Sequence, residues 1–262
     1  GARDLQTKEL LESKGIKSYF SGCLTLTLGI KYKSEEKDGS IYFVDPYFDF
    51  LTSSNIVSKI FDMVISLFKS VKYRKVINKI IPNFEHEFLG TKLGNMFPKT
   101  LKRILIYKFY KTYSTAFSDD LLFNAKYITH KIKHSGLTNE DKMTYAKELI
   151  TKYSKAKMVV TSRIHCGLPC IGIETPVIFV NSEYLKRGIA RSGGRFGGLL
   201  NLFHCLELSG NKLVAKTDNL KQLLNKSKIT LDTIIENSNE YLTLKTDLMK
   251  KCNSFIKQCN NQ

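Results

Sequence analysis

No stretch of eighteen or more uncharged apolar residues occurs in the 262 residues, so no membrane-crossing helix is expected. The opening GARDLQTKELLESKG is charged from its third residue, which argues against a secretory signal peptide and for a cytoplasmic address. CxxC pairs are also lacking. The six cysteines (Cys23, Cys166, Cys170, Cys205, Cys252 and Cys259) are scattered through a chain too large to need disulfide staples, so they read as reduced thiols. Acidic residues are scarce: 24 Asp and Glu against 41 Lys and Arg leave a net charge of +17. Such an excess suits nucleic acid, an anionic membrane face or phosphorylated substrates. With no dominant arginine tract, solvated surface explains the charge equally well. Peripheral contact with the inner membrane face is preferred to nucleic acid, which is not expected as a partner. The chain starts with Gly rather than Met, and a longer fold is expected to precede it.

Alternation of strand and helix signals organises what is present. Residues 4–14 predict a first helix capped by Asp4 and closed at Gly15, with Leu5, Leu10 and Leu11 near one face. KSYFSGCLTLTLGI, with alternating Leu and Thr, and IYFVDP, stopped by Pro46, predict two strands around the charged loop KSEEKDGS. Residues 55–115 are helix-like. Between Phe61 and Thr112 they carry eleven basic residues and three acidic ones. They read either as amphipathic helices on a sheet or as a basic apolar surface for lipid headgroups or a lipid-linked acceptor. AKYITHKI predicts a strand. The helix after it has a capping signal from Thr138 to Asp141 and an expected apolar face of Met143, Ala146, Ile150 and Tyr153. KMVVTS, a short helix through Glu174, and TPVIFVN continue the pattern, and the tail from about Thr217 reads as closing helices. Strand, helix, strand order implies an α/β fold with a parallel, Rossmann-like sheet. The expected division is 1–125, a remainder of an N-terminal α/β part with a basic helical insertion, and 126–262, a C-terminal Rossmann-like part.

The chemistry concentrates in VVTSRIHCGLPC, Val159 to Cys170. Thr161, Ser162, Arg163 and His165 fall where a strand leads into a helix, the place at which open α/β sheets bind ligands. A helix N-terminus favours an anion by only about 0.3–2 kcal/mol. A micromolar to millimolar ligand needs roughly 4–8 kcal/mol, so Arg163 and cations from elsewhere must contribute. Pro169 requires either a helix that starts near Cys166 or one that starts earlier and is kinked. Zinc at His165, Cys166 and Cys170 fails on spacing, His130 and His134 do not share a face on a strand, and Cys166 reads as a packing residue rather than a nucleophile.

Three segments, GARD at 1–4, YFSGCLTLTL at 19–28 and MVVTSRIHCGLPCIGIETPVIFVN at 158–181, resemble the polysaccharide pyruvyl transferase family in the family's own order. The likeness implies a GT-B-like fold whose N-terminal domain is incomplete here. It also implies transfer of pyruvate from phosphoenolpyruvate to two hydroxyls of a sugar or lipid-linked saccharide, as a cyclic ketal, in surface polysaccharide assembly. By this resemblance His165 is the proton donor. Arg3, Ser162, Arg163 and Lys186, with Arg187 as fallback, bind the donor. No metal and no cofactor beyond the donor substrate is implied. The competing readings are a GT-B glycosyltransferase using a nucleotide sugar and a non-catalytic anion-binding protein.

Overall fold

The computed structural model describes residues 1–50, 55–84, 98–130, 136–181 and 196–260. Its centre is a six-stranded sheet built from β1 (Ile41–Val44), β2 (Lys126–Ile128), β3 (Met158–Thr161), β4 (Val177–Asn181), β5 (His204–Ser209) and β6 (Lys212–Ala215). The spatial order is β2-β1-β3-β4-β5-β6, with every pair parallel except the β5–β6 hairpin. The boundary expected at residue 125 therefore has strands of one sheet on both sides. This α/β architecture, a mostly parallel sheet flanked by helices, is consistent with the GT-B-like, Rossmann-like expectation.

Strands buried on both faces need apolar side chains along their length, and β1, the first three residues of β3 and most of β4 supply them. Alternation sorts them into two cores. Ile41, Phe43, Met158, Val160, Ile178 and Val180 point to one face, and Tyr42, Val44, Val159, Val177 and Phe179 to the other. The first core is covered by the connection from β1 to β2, which runs through α3 (Ile56–Lys72), α4 (Arg74–Ile80), α5 (Pro98–Tyr113) and α6 (Asp119–Asn124). Phe43 sits among Phe109, Tyr113, Phe117 and Tyr127 there. The second core is covered by α7 (Asn139–Lys155), between β2 and β3, and α8 (Ile164–Gly172), between β3 and β4. The chain thus leaves β1 on one side for β2, then crosses to the other side for β3. The reversal creates a topological switch point at the carboxyl ends of β1 and β3.

Several expectations change in the structure. The Leu–Thr segment is not a strand: it forms a 3-10 helix, Leu24–Leu28, continuing into α2 (Gly29–Tyr32), behind α1 (Leu5–Ser13) in sequence. Its threonines turn inward on local groups, Thr27 Oγ1 donating to Leu24 O and Thr25 Oγ1 to Cys23 Sγ, and this competes with a ladder. The capping box at Thr138 and Asp141 opens α7 as expected. Of its expected apolar face, Ile150 and Tyr153 pack inward together with Tyr145 and Leu149, while Met143 and Ala146 are exposed. The first helix, α1, is capped by Asp4 as expected, and none of its residues is buried. The β5–β6 hairpin carries no counterpart in the sequence reading. The closing helices are α9 (Asp218–Lys226) and α10 (Glu240–Asn260).

The 3-10 segment approaches α8 so closely that only glycine fits between them. A Cβ on Gly172 would lie 2.4 Å from Thr25 O and 2.9 Å from Leu26 Cα, and neither backbone atom can swing away. Ala normally gains about 1 kcal/mol over Gly within a helix. Overpacking outweighs that gain here, so Gly172→Ala is expected to lower unfolding free energy by about 1–3 kcal/mol in urea denaturation.

Candidate functional site

The switch point is held together by one carboxylate. Asp45 follows β1 directly and precedes Pro46, with φ at 44°, a region that Asn and Asp tolerate better than other non-glycine residues. Its N–H donates to Ile128 O at 3.1 Å, which ties it to the end of β2. One carboxylate oxygen accepts from the Thr129 hydroxyl. The other accepts from the His130 N–H at 3.2 Å and from Arg163 Nε at 3.1 Å. Asp45 is buried, whereas the Arg163 side chain is about half exposed. A pair buried at one end only is screened less than a surface pair, and loss of the carboxylate removes an acceptor that the Thr129 hydroxyl and the His130 N–H share with Arg163.

Thr161 and Ser162 fix the entry to α8. Thr161 Oγ1 donates to Val44 O at 2.9 Å and accepts from the Arg163 N–H at 3.0 Å, joining the ends of β1 and β3. The Ser162 hydroxyl accepts from the Tyr47 N–H at 2.9 Å and is hydrogen-bonded to the buried Tyr113 hydroxyl. Helix α8 starts at Ile164 with Arg163 as N-cap, and the Arg163 side chain makes no capping bond. Pro169 therefore stands inside the helix, the earlier-start option, and has no N–H to give to the His165 carbonyl.

His165, in the first turn, is exposed, and the N-terminus is folded back onto it. Ala2 forms a parallel bridge with Phe20: its N–H donates to Tyr19 O, and Ser21 N–H donates to Ala2 O, both at 2.8 Å. Asp4 caps α1 by accepting from Thr7 N–H, and Leu5 N–H donates to Gly197 O at 3.0 Å. Held from both sides, Arg3 places Nη1 at 3.4 Å from His165 Nε2, across 162 positions of sequence. Guanidinium donates only, so Nε2 is the acceptor in this arrangement. Nη2 lies 3.5 Å from Asp4, and the buried Nε meets no acceptor among the described residues. Both contacts are at the long limit for a hydrogen bond, so the fork is weakly engaged and available to an anion.

Behind His165 lies a buried polar group. His130 Nε2 is 2.7 Å from the Tyr153 hydroxyl, and the imidazole is also hydrogen-bonded to Cys166. Burial opposes a charge on either partner. Hydrogen bonds from Cys170 and His130, with the attraction between thiolate and imidazolium, outweigh it, drawing the Cys166 thiol down to about 6 and the imidazole up. Cys166 and Cys170 are wholly buried and pack in the second core.

Of the residues expected at the site, Arg3 and His165 meet, while Ser162 and Arg163 stand just ahead of His165 in the chain with their side chains engaged by Tyr47 and Asp45. Lys186 and Arg187 lie outside the described residues, as does His134. Asp45 was not among the candidates, although VDP at the end of an apolar run marks a carboxylate at a strand's carboxyl end. Asp45→Asn keeps the side-chain shape and the tolerance for positive φ but replaces one accepting oxygen by a donor. It is expected to cost about 1–3 kcal/mol of stability in urea denaturation, and an unchanged midpoint would remove the clamp from this account.

No curated protein and no solved structure matches the chain. The family model described as polysaccharide pyruvyl transferase matches residues 1–184, a span that begins ahead of Arg3 and continues past His165. That family consists of transferases of polysaccharide biosynthesis. The chain belongs to the polysaccharide pyruvyl transferase family.

Proposed function

We propose that the chain moves pyruvate from phosphoenolpyruvate to two hydroxyls of a sugar or lipid-linked saccharide, closing a cyclic ketal, with the donor bound at the carboxyl ends of β1 and β3. The observation that carries this reading is the meeting of Arg3 and His165 at 3.4 Å, a cationic fork beside an exposed imidazole at a helix N-terminus. Phosphoenolpyruvate has two anionic groups and one carbon to be protonated, and the site offers receptors of both kinds.

In this scheme the donor's carboxylate or phosphate takes the Arg3 fork. Arg3 then no longer donates to His165 Nε2, and the imidazole takes up the proton that it delivers. His165 transfers this proton to the methylene carbon, forming a methyl group and leaving an oxocarbenium-like centre at the adjoining carbon. The first sugar hydroxyl adds there and returns a proton to His165. Phosphate then leaves with the electrons of its C–O bond and takes up the proton that the second hydroxyl loses as it closes the ring. Arg163, oriented by Asp45, and Ser162 at the head of α8 form the phosphate side of the cradle. Lys186, or Arg187 in its place, completes the donor site.

A positioned acid contributes about 10²–10⁴-fold to rate, so His165→Ala is expected to lower kcat by that factor while donor affinity changes little. Removing a charge-assisted hydrogen bond costs about 1.5–3 kcal/mol, so Arg3→Ala is expected to weaken phosphoenolpyruvate binding by roughly 10-fold to 150-fold. Mass spectrometry of the acceptor for the pyruvate ketal reads the first, and ligand-induced thermal shift reads the second. Unchanged ketal formation in His165→Ala would overturn the acid assignment. Stabilisation by a nucleoside diphosphate but not by phosphoenolpyruvate would move the donor to a nucleotide sugar.

A further inference from the structure

Helix α3 is built inside out. Its inner face, packed on α5, carries Ser66 and Ser70, both buried, and Asp62, whose carboxylate pairs with Lys108. Its outer face carries Val57, Ile60, Phe61, Val64, Phe68 and Val71, all exposed, with Phe61 at 67% and Phe68 at 73% of full accessibility. At 100° per residue these six fall within an arc of about 100°, as wide as the stripe that a surface helix normally turns toward a core. A continuous apolar stripe facing water marks an interaction surface rather than the scatter of single apolar residues found on any protein.

Charge identifies the partner. Residues 55–84 hold Lys59, Lys69, Lys72, Arg74, Lys75 and Lys79 against a single acid, Asp62, and that acid already faces Lys108. Within residues 55–84 the stripe therefore has a cationic border that no acid other than the paired Asp62 offsets. A second copy of the chain fits such a surface poorly, because pairing two stripes would bring two sets of lysines together without counter-charge. An anionic bilayer offers acyl chains for the stripe and phosphates for the border, the combination by which amphipathic helices lie in a membrane interface. At 17 residues α3 is about 25 Å long, enough to rest along the surface.

We propose that α3 is an interfacial membrane helix that seats Phe61 and Phe68 at the acyl boundary of an anionic bilayer, with Lys69 and Lys72 against the lipid phosphates. The surface is separate from the Arg3–His165 site, and its test does not depend on the reaction.

The chain contains no tryptophan, so Phe61→Trp supplies a sole indole reporter in the full chain. Vesicles of phosphatidylcholine alone are compared with vesicles also containing phosphatidylglycerol. The expected result is a blue shift of indole emission and flotation of the protein with the phosphatidylglycerol vesicles, both weakened by salt. Phe61→Ser/Phe68→Ser, with an unchanged far-UV circular dichroism spectrum, is expected to reduce partitioning by about tenfold or more. Absence of flotation with the anionic vesicles, or flotation indifferent to the double substitution, would overturn the proposal. So would a dimer in light scattering that the double substitution dissociates, since the stripe would then belong to a second copy.

Discussion

The Asp45 carboxylate is the interaction on which the site depends. Parallel strands end in loops that have no ladder to define them, so something must hold the ends of β1, β2 and β3 in register beyond their last pairs. Asp45 does so with one side chain, accepting from Thr129, His130 and Arg163, while Thr161 joins β3 to β1. The unusual backbone at Asp45 follows from this position: the chain must turn sharply into Pro46 while the carboxylate remains beneath the loops. Because Asp45 holds Arg163, and Arg163 occupies the N-cap position of α8, the helix that presents His165 is referenced to the centre of the sheet.

A second constraint brings in the cation that the helix dipole alone cannot replace. Arg3 is far from His165 in sequence and reaches it because Ala2 bridges to Phe20, while the segment after Phe20 packs against the end of α8 at Gly172. The same helix therefore supports His165 at its start and, at its end, the layer that carries Arg3. The family match from residue 1 to 184 covers both partners of that contact.

The parallel strands were legible because Val, Ile and Phe runs such as MVVT and VIFVN have to be buried on both faces, and α7 was legible from the Thr138 and Asp141 pair. The strand-to-helix junction carrying Ser162, Arg163 and His165 was visible for the same reason. What escaped depends on neighbours that are distant in sequence. Alternating Leu and Thr at 24–28 has the period of a strand, yet the close approach to Gly172 makes a compact 3-10 turn the better packing. Met143 has the helical spacing of a core residue, but the core contacts of α7 lie toward its later turns. The helix-forming pattern of α3 was readable, whereas the direction in which it faces, with Asp62 turned to Lys108, depends on a partner distant in sequence.

The central claim is that the donor sits at the carboxyl ends of β1 and β3, between Arg3 and His165. A crystal structure of the chain soaked with phosphoenolpyruvate tests it most directly. The account predicts an anionic group of the donor on the Arg3 guanidinium, with its methylene carbon facing His165 Nε2. A donor bound away from both residues, with the Arg3–His165 contact intact, would contradict it.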